Sequence, residues 1–200
     1  NSAQQAALLT YMQTYGQFQS TPIRVVYAVL GKVEATLTEI EAKGWVARVV
    51  SVSPYIERDL AILKVEGLTN CPILIVGDSD KASTGHSVYM LGFPDVTSFQ
   101  LPSPQTLLAP SMTSGIISAK RITNFDTPCF QVDASITHGM SGGPGLNSNG
   151  EVIGICSRGS ITEAGQGVAG FNFLIQSSVL ESLLTESSVA NAKGPVDEAF

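Results

Sequence analysis

The chain has 200 residues, 44% hydrophobic and 14% charged, with a net charge of -6. That apolar share supports a real core, and the length allows one large all-β domain or two small barrels. The acidic balance argues against nucleic acid, which favours basic patches, and no apolar run approaches the ~18 residues of a membrane helix.

In chain order, Ser2 with Gln5 three residues later makes a helix-capping box. Leu8, Met12 and Tyr15 mark one helical face, and Gly16 suits a helix end. A strand is expected over Ile23–Leu30, followed by period-two alternation of Val33, Ala35 and Leu37 with Glu34, Thr36 and Thr38. Trp45–Val52 reads as a strand broken by Pro54, and Leu60–Val65 as the next. Asp78–Gly85 is polar and loop-like. Val88–Leu91 is a strand, and the proline-rich stretch Asp95–Pro104 is a connection.

Further strands are expected from Leu107–Leu108 onward and over Gly115–Ile122, Phe130–Ala134, Glu151–Ser157 and Val168–Ile175. Val179, Leu180, Leu183 and Leu184 then recur at helical spacing, which predicts an amphipathic helix packed on the sheets. The tail from Ser187 is small and polar and reads as a linker or disordered end.

The cysteines, Cys71, Cys129 and Cys156, show no metal-ligand spacing. Cys129 and Cys156 fall in predicted strands, so a bridge between them is open. Buried thiols acting as small hydrophobes are the favoured reading. Neither a metal nor a cofactor is expected.

The chemistry concentrates in Ile136-Thr137-His138-Gly139-Met140-Ser141-Gly142-Gly143-Pro144. A serine among glycines suits a nucleophile, because a glycine turn can aim several backbone N–H groups at one point. Taken alone, the run is also a plain glycine-rich loop between strands. It matches the G-x-S-x-G elbow of α/β-hydrolases as well, but that elbow is followed by a helix and, later, a histidine. Here turn residues follow, and both histidines, His86 and His138, precede Ser141.

A second stretch, Asp59-Leu60-Ala61-Ile62-Leu63-Lys64-Val65, resembles the D-L-A-[VI]-L-K-V segment of trypsin-like serine proteases, especially the bacterial HtrA/Deg-like branch. Further stretches resemble that family in order: Ser87–Pro94, the strand ending Gly-x-Pro; Thr113–Ser118, the T-x-G-I-I-S strand; Gln131–Ile136, leading into the serine; and Leu146–Ile155, the hairpin after it. The resemblance covers residues 45–185, and colinear stretches are more specific than one motif.

The resemblance implies a mainly β fold of two six-stranded antiparallel barrels. The first, over residues 1–100, would be incomplete at its N-terminus and led by the short helix. The second would span 101–186 and end in the C-terminal helix, with 187–200 as tail. It implies a serine endopeptidase with Ser141 as nucleophile and Asp59 as the acid that orients the catalytic histidine. The N–H groups of Gly139 and Ser141, with Met140 as a further candidate, would form the oxyanion hole. Ser157 and Gly159 would lie on the strand that pairs with substrate backbone, and Ser135 and Ile136 would shape the pocket. Ile136 and Ile155 suggest that this pocket is apolar. Asp133 reads as structural, capping loop amides near the nucleophile turn.

The family order is His, Asp, Ser, and no histidine precedes Asp59. His86 reads as a surface loop residue and His138 as a loop residue near substrate. The favoured explanation is a fragment whose histidine lies upstream, in an extracytoplasmic protein acting on protein or peptide substrates. The alternative is a catalytically inactive protease-like module that binds peptides.

Overall fold

A computed structural model describes residues 23–25, 45–54, 57–65, 67, 73–94, 110–161 and 167–189. The expected N-terminal helix, the Val33–Thr38 alternation, the Asp95–Pro104 connection, Leu107–Leu108 and Cys71 lie outside them. So does the later part of the Ile23–Leu30 strand.

The described part is mainly β. Three antiparallel strands, β1 (Ile23–Val25), β2 (Trp45–Val52) and β3 (Ala61–Val65), form one sheet in the order β1-β2-β3. Six more form a closed barrel: β4 (Ser87–Gly92), β5 (Ser111–Ile122), β6 (Pro128–Val132), β7 (Pro144–Leu146), β8 (Val152–Ile161) and β9 (Gly167–Gln176). Their order around the barrel is β4-β5-β6-β9-β8-β7. One helix among the described residues, α1 (Ser177–Glu186), follows β9 without a loop.

The sequence reading groups Val88–Leu91 with the first barrel, within residues 1–100. The strand instead pairs with β5 along its whole length and with β7 at Tyr89 and Met90. The closed barrel therefore begins at Ser87. The physical reason is that Val88 and Met90 alternate into the barrel core, each with no exposed surface. Sequence adjacency could not reveal which sheet that face would meet.

The barrel interior is filled by Val88, Met90, Ile117, Phe130, Val132, Met140, Ile153 and Leu174, among others. A second apolar cluster lies outside the barrel wall. There Val179 and Leu183 of α1 meet Cys129, Ile175 and, from the other sheet, Leu60 and Ile62. This cluster brings β3, and so the residue just before Leu60, against the barrel. Cys129 pairs with Ile175 and Cys156 with Leu174, neighbours that face opposite sides of β9. The two thiols accordingly lie in different clusters, and no disulfide joins them.

Candidate active site

The serine turn is built by glycines and by a close approach. Gly139 and Gly142 have φ of 89° and 84°, a region costly for side-chain-bearing residues. Gly143 lies so close to β4 that a Cβ there would collide with the carbonyl oxygen of Leu91. The turn is closed by Met140 N–H to Thr137 O (3.1 Å), Gly143 N–H to Met140 O (3.0 Å) and Gly142 N–H to Cys156 O (2.7 Å). Met140, 2% exposed, plugs the barrel core and anchors the turn from below.

These bonds sort the three candidate oxyanion donors. The Met140 amide is engaged with Thr137. The amides of Gly139 and Ser141 have no hydrogen-bond acceptor among the described residues. Ser141 is exposed, and its Oγ donates to the carbonyl oxygen of Ser157 at 3.0 Å.

Asp59 stands just before β3. Its φ is 52°, left-handed, a conformation aspartate tolerates better than most side chains. The turn before it is held by Glu57 N–H and Asp59 N–H, which both donate to Pro54 O (3.0 and 3.3 Å). Ser53 and Leu60 clasp its base: Ser53 Oγ donates to Leu60 O (3.1 Å) and accepts from Leu60 N–H (3.0 Å). The Asp59 carboxylate then accepts a 2.6 Å hydrogen bond from Ser157 Oγ, across 98 residues.

Ser157 thus touches both other residues, through its hydroxyl to Asp59 and its carbonyl to Ser141. Ser157 lies on β8, the strand expected to pair with substrate, and its side chain also bonds the Asp59 carboxylate, a contact that no local sequence signal reveals. Gly159 lies on β8 opposite Asn172 of β9.

Ser135 is exposed, and its carbonyl accepts from Thr113 Oγ1 at 2.7 Å. Ile136 is half-buried and packs on the barrel core, whereas Ile155 packs in the outer cluster. The two isoleucines therefore do not line one pocket, because they lie on opposite faces of the barrel wall. Asp133 Oδ1 accepts from Ile116 N–H at 2.6 Å. It caps a β5 amide rather than an amide of the serine turn.

His138 is exposed on the serine turn. His86 is exposed too, and its Nδ1 accepts from Ser83 N–H at 3.3 Å. It borders a cavity of about 510 Å³ that includes Asp78, Asn149 and Glu181 but none of Asp59, Ser141 or Ser157. Neither histidine is hydrogen-bonded to Ser141 or Asp59 among the described residues. No group of His, Cys, Asp or Glu among them could hold a metal ion. Cys156 is buried, which raises its thiol pKa from 9.0 to about 11 and disfavours the reactive thiolate.

Residues 19–155 match the family described as trypsin-like peptidase domain. A probable periplasmic serine endoprotease DegP-like from Marinomonas sp. (strain MWYL1) is 35% identical over 159 residues, 76% of this chain and 30% of that protein. Serine protease HTRA4 from Mus musculus is 34% identical over 143 residues, 68% of this chain and 26% of that protein. The chain thus spans less than a third of the length of these relatives. Among solved structures, the HtrA-type protease AlgW with decapeptide superposes with a TM-score of 0.60 at 28% identity, over 80% of this chain and 50% of that one. Family match, relatives and barrel agree: the chain belongs to the trypsin-like peptidases, with DegP-like and HtrA serine proteases as its relatives.

Proposed function

We propose that this chain carries the nucleophile, the acid and the oxyanion hole of a serine endopeptidase, with the base a histidine upstream of Asn1. The supporting observation is the arrangement around Ser157, which joins the Asp59 carboxylate to the Ser141 hydroxyl through one residue. In the active form, the histidine would take the Oγ proton as Ser141 attacks a peptide carbonyl, and Asp59 would stabilise the imidazolium. Ser141 Oγ would first have to leave the Ser157 carbonyl. The tetrahedral oxyanion would lie against the Gly139 and Ser141 amides. Removing one such donor typically costs about 10²–10³ in rate.

The three-stranded sheet β1-β2-β3 would be part of the other barrel of a two-barrel protease. Substrates would be proteins or peptides, since the AlgW structures are described with a tripeptide and a decapeptide. The location would be extracytoplasmic, in keeping with relatives named as periplasmic. No described helix is long and apolar enough to cross a membrane.

The second reading, a non-catalytic peptide-binding module, is favoured by one observation. Neither histidine of the chain bonds Ser141 or Asp59, and the serine hydroxyl donates to a carbonyl, which cannot accept its proton as a base does.

The test is to express the protein with the sequence that precedes Asn1 in its gene and treat it with a fluorophosphonate probe. Labelling that is lost in Ser141→Ala and on replacing an upstream histidine establishes the protease. Unlabelled protein that still retains peptides establishes the binding module. The 200-residue chain alone is expected not to cleave casein.

A further inference from the structure

Asp59 is held by more than its own strand. The backbone is pinned on either side of Arg58 and Asp59. Before them, Glu57 O accepts from Thr127 Oγ1 (3.1 Å), a side chain 4% exposed on the β5–β6 turn. After them, Leu60 is clasped by Ser53 and buried against α1. Between the pins, Asp59 has its left-handed φ of 52° and a single backbone bond, to Pro54 O at 3.3 Å. A strained backbone of this kind persists only where the surroundings enforce it.

Arg58, next to Asp59, has a distant contact of its own. Its Nη1 lies 2.9 Å from both Oε1 and Oε2 of Glu186, 128 residues along the chain. Glu186 is the last residue of α1, where a carboxylate meets the negative end of the helix dipole. The helix has no basic residue of its own in that turn, so the compensating charge comes from Arg58. The helix end is closed by its own backbone. Ser187 N–H, Ser188 N–H and Val189 N–H close the helix end onto Leu183, Thr185 and Leu184 carbonyls at 2.9–3.0 Å.

We infer that Arg58 and Glu186 are a positioning pair. They hold the 58–59 backbone so that the Asp59 carboxylate stays on Ser157, and the last turn of α1 thereby sets how well the acid is placed. This rests on the reading of Asp59 as the catalytic acid. The pair is partly exposed, 34% at Arg58 and 53% at Glu186. Such a pair biases a conformation by at most about fivefold. Here that modest bias acts on one strained residue that bonds the acid's partner.

The test uses Arg58→Gln, Glu186→Gln and the charge swap Arg58→Glu with Glu186→Arg. Amide exchange of the 200-residue chain, followed by NMR, reads the 58–60 backbone without needing activity. Each single variant is expected to speed exchange at Asp59 and Leu60 measurably, by up to about fivefold, and to leave Ile175 unchanged. The swap should recover most of the protection. The difference from wild type should vanish at 1 M salt, where the screening length falls to about 3 Å. In the histidine-bearing extended protein, kcat should fall by the same factor, with KM unchanged and recovery in the swap.

Asp59→Asn separates the two claims. If it leaves activity intact, the acid reading fails, whatever the exchange shows. If it abolishes activity while the single variants alter neither exchange nor kcat, the positioning pair is overturned and the acid stands. A lowered melting temperature without local exchange changes also overturns the pair, because it marks a merely structural contact. Glu186→Gln changes one exposed carboxylate, so its result stands even if an Arg58 variant fails to fold.

Discussion

Ser157 joins the two candidate catalytic residues, so its side chain and its carbonyl can be tested apart. Ser157→Ala removes the hydroxyl that donates to Asp59 and leaves the carbonyl that accepts from Ser141. A hydrogen bond to a charged group contributes about 1.5–3 kcal/mol. The extended, histidine-bearing protein should therefore lose about tenfold or more in kcat/KM, measured on a peptide substrate. An unchanged rate would mean that Asp59 is placed without Ser157. Cys156 offers a pH prediction. Its thiol is raised in the folded state from 9.0 to about 11, so the unfolded chain loses that proton first. The contribution is intact below pH 9 and is lost between pH 9 and about 11. Urea midpoints measured across that window should fall more steeply in wild type than in Cys156→Ala.

At the scale of elements, α1 lacks local capping. Its N-cap, Gln176, makes no side-chain capping bond, and the first turn has no acidic residue. The cap comes from elsewhere: Ser79 Oγ, on a buried residue of the loop before β4, accepts from Ser178 N–H at 3.1 Å. Loss of such a cap costs about 1 kcal/mol. Ser79→Ala should therefore lower stability by roughly that amount in urea titration, and Ser79→Thr should recover part of it if the added methyl fits. Leu183, 3% exposed, fills the cluster between α1, the barrel and Leu60. Leu183→Ala should cost about 2–5 kcal/mol. Activity should fall further than the melting temperature alone explains, because Leu60 adjoins Asp59. Equal loss of activity and of folded protein would refute that coupling.

The strands were legible at this scale because their alternation is local. Trp45–Val52 is β2 residue for residue, and the Gly115–Ile122 expectation lies inside β5. Period-two patterning decided these because a half-buried strand needs one apolar face. The short strand β7, directly after the serine turn, was not separately expected. Three residues, Pro144, Gly145 and Leu146, carry too little pattern.

On the scale of the whole molecule, the candidate site is a junction. Asp59 comes from the three-stranded sheet and Ser141 from the closed barrel, and the cluster of Leu60, Ile62, Ile175, Val179 and Leu183 welds the two. A change in that cluster should therefore reach the site even without touching Ser141.

What the sequence determined alone was whatever is local. The Gly-Met-Ser-Gly-Gly turn, the Asp59-to-Val65 stretch, the strand alternation and the C-terminal helix each rest on neighbours within a few residues. Ser141 and Asp59 became candidates through the resemblance of their stretches to a known family, since a lone aspartate before a strand reads as an ordinary solvated acid. Only the tertiary structure decided that β4 closes the barrel, that Ile136 and Ile155 face different cores, and that Asp133 serves a β5 amide. It alone paired Ser157 with Asp59 and Arg58 with Glu186, across 98 and 128 residues. Such contacts have no period and no spacing rule. They exist because barrel closure and apolar packing bring distant segments together, and polar groups that meet at those seams must then find partners.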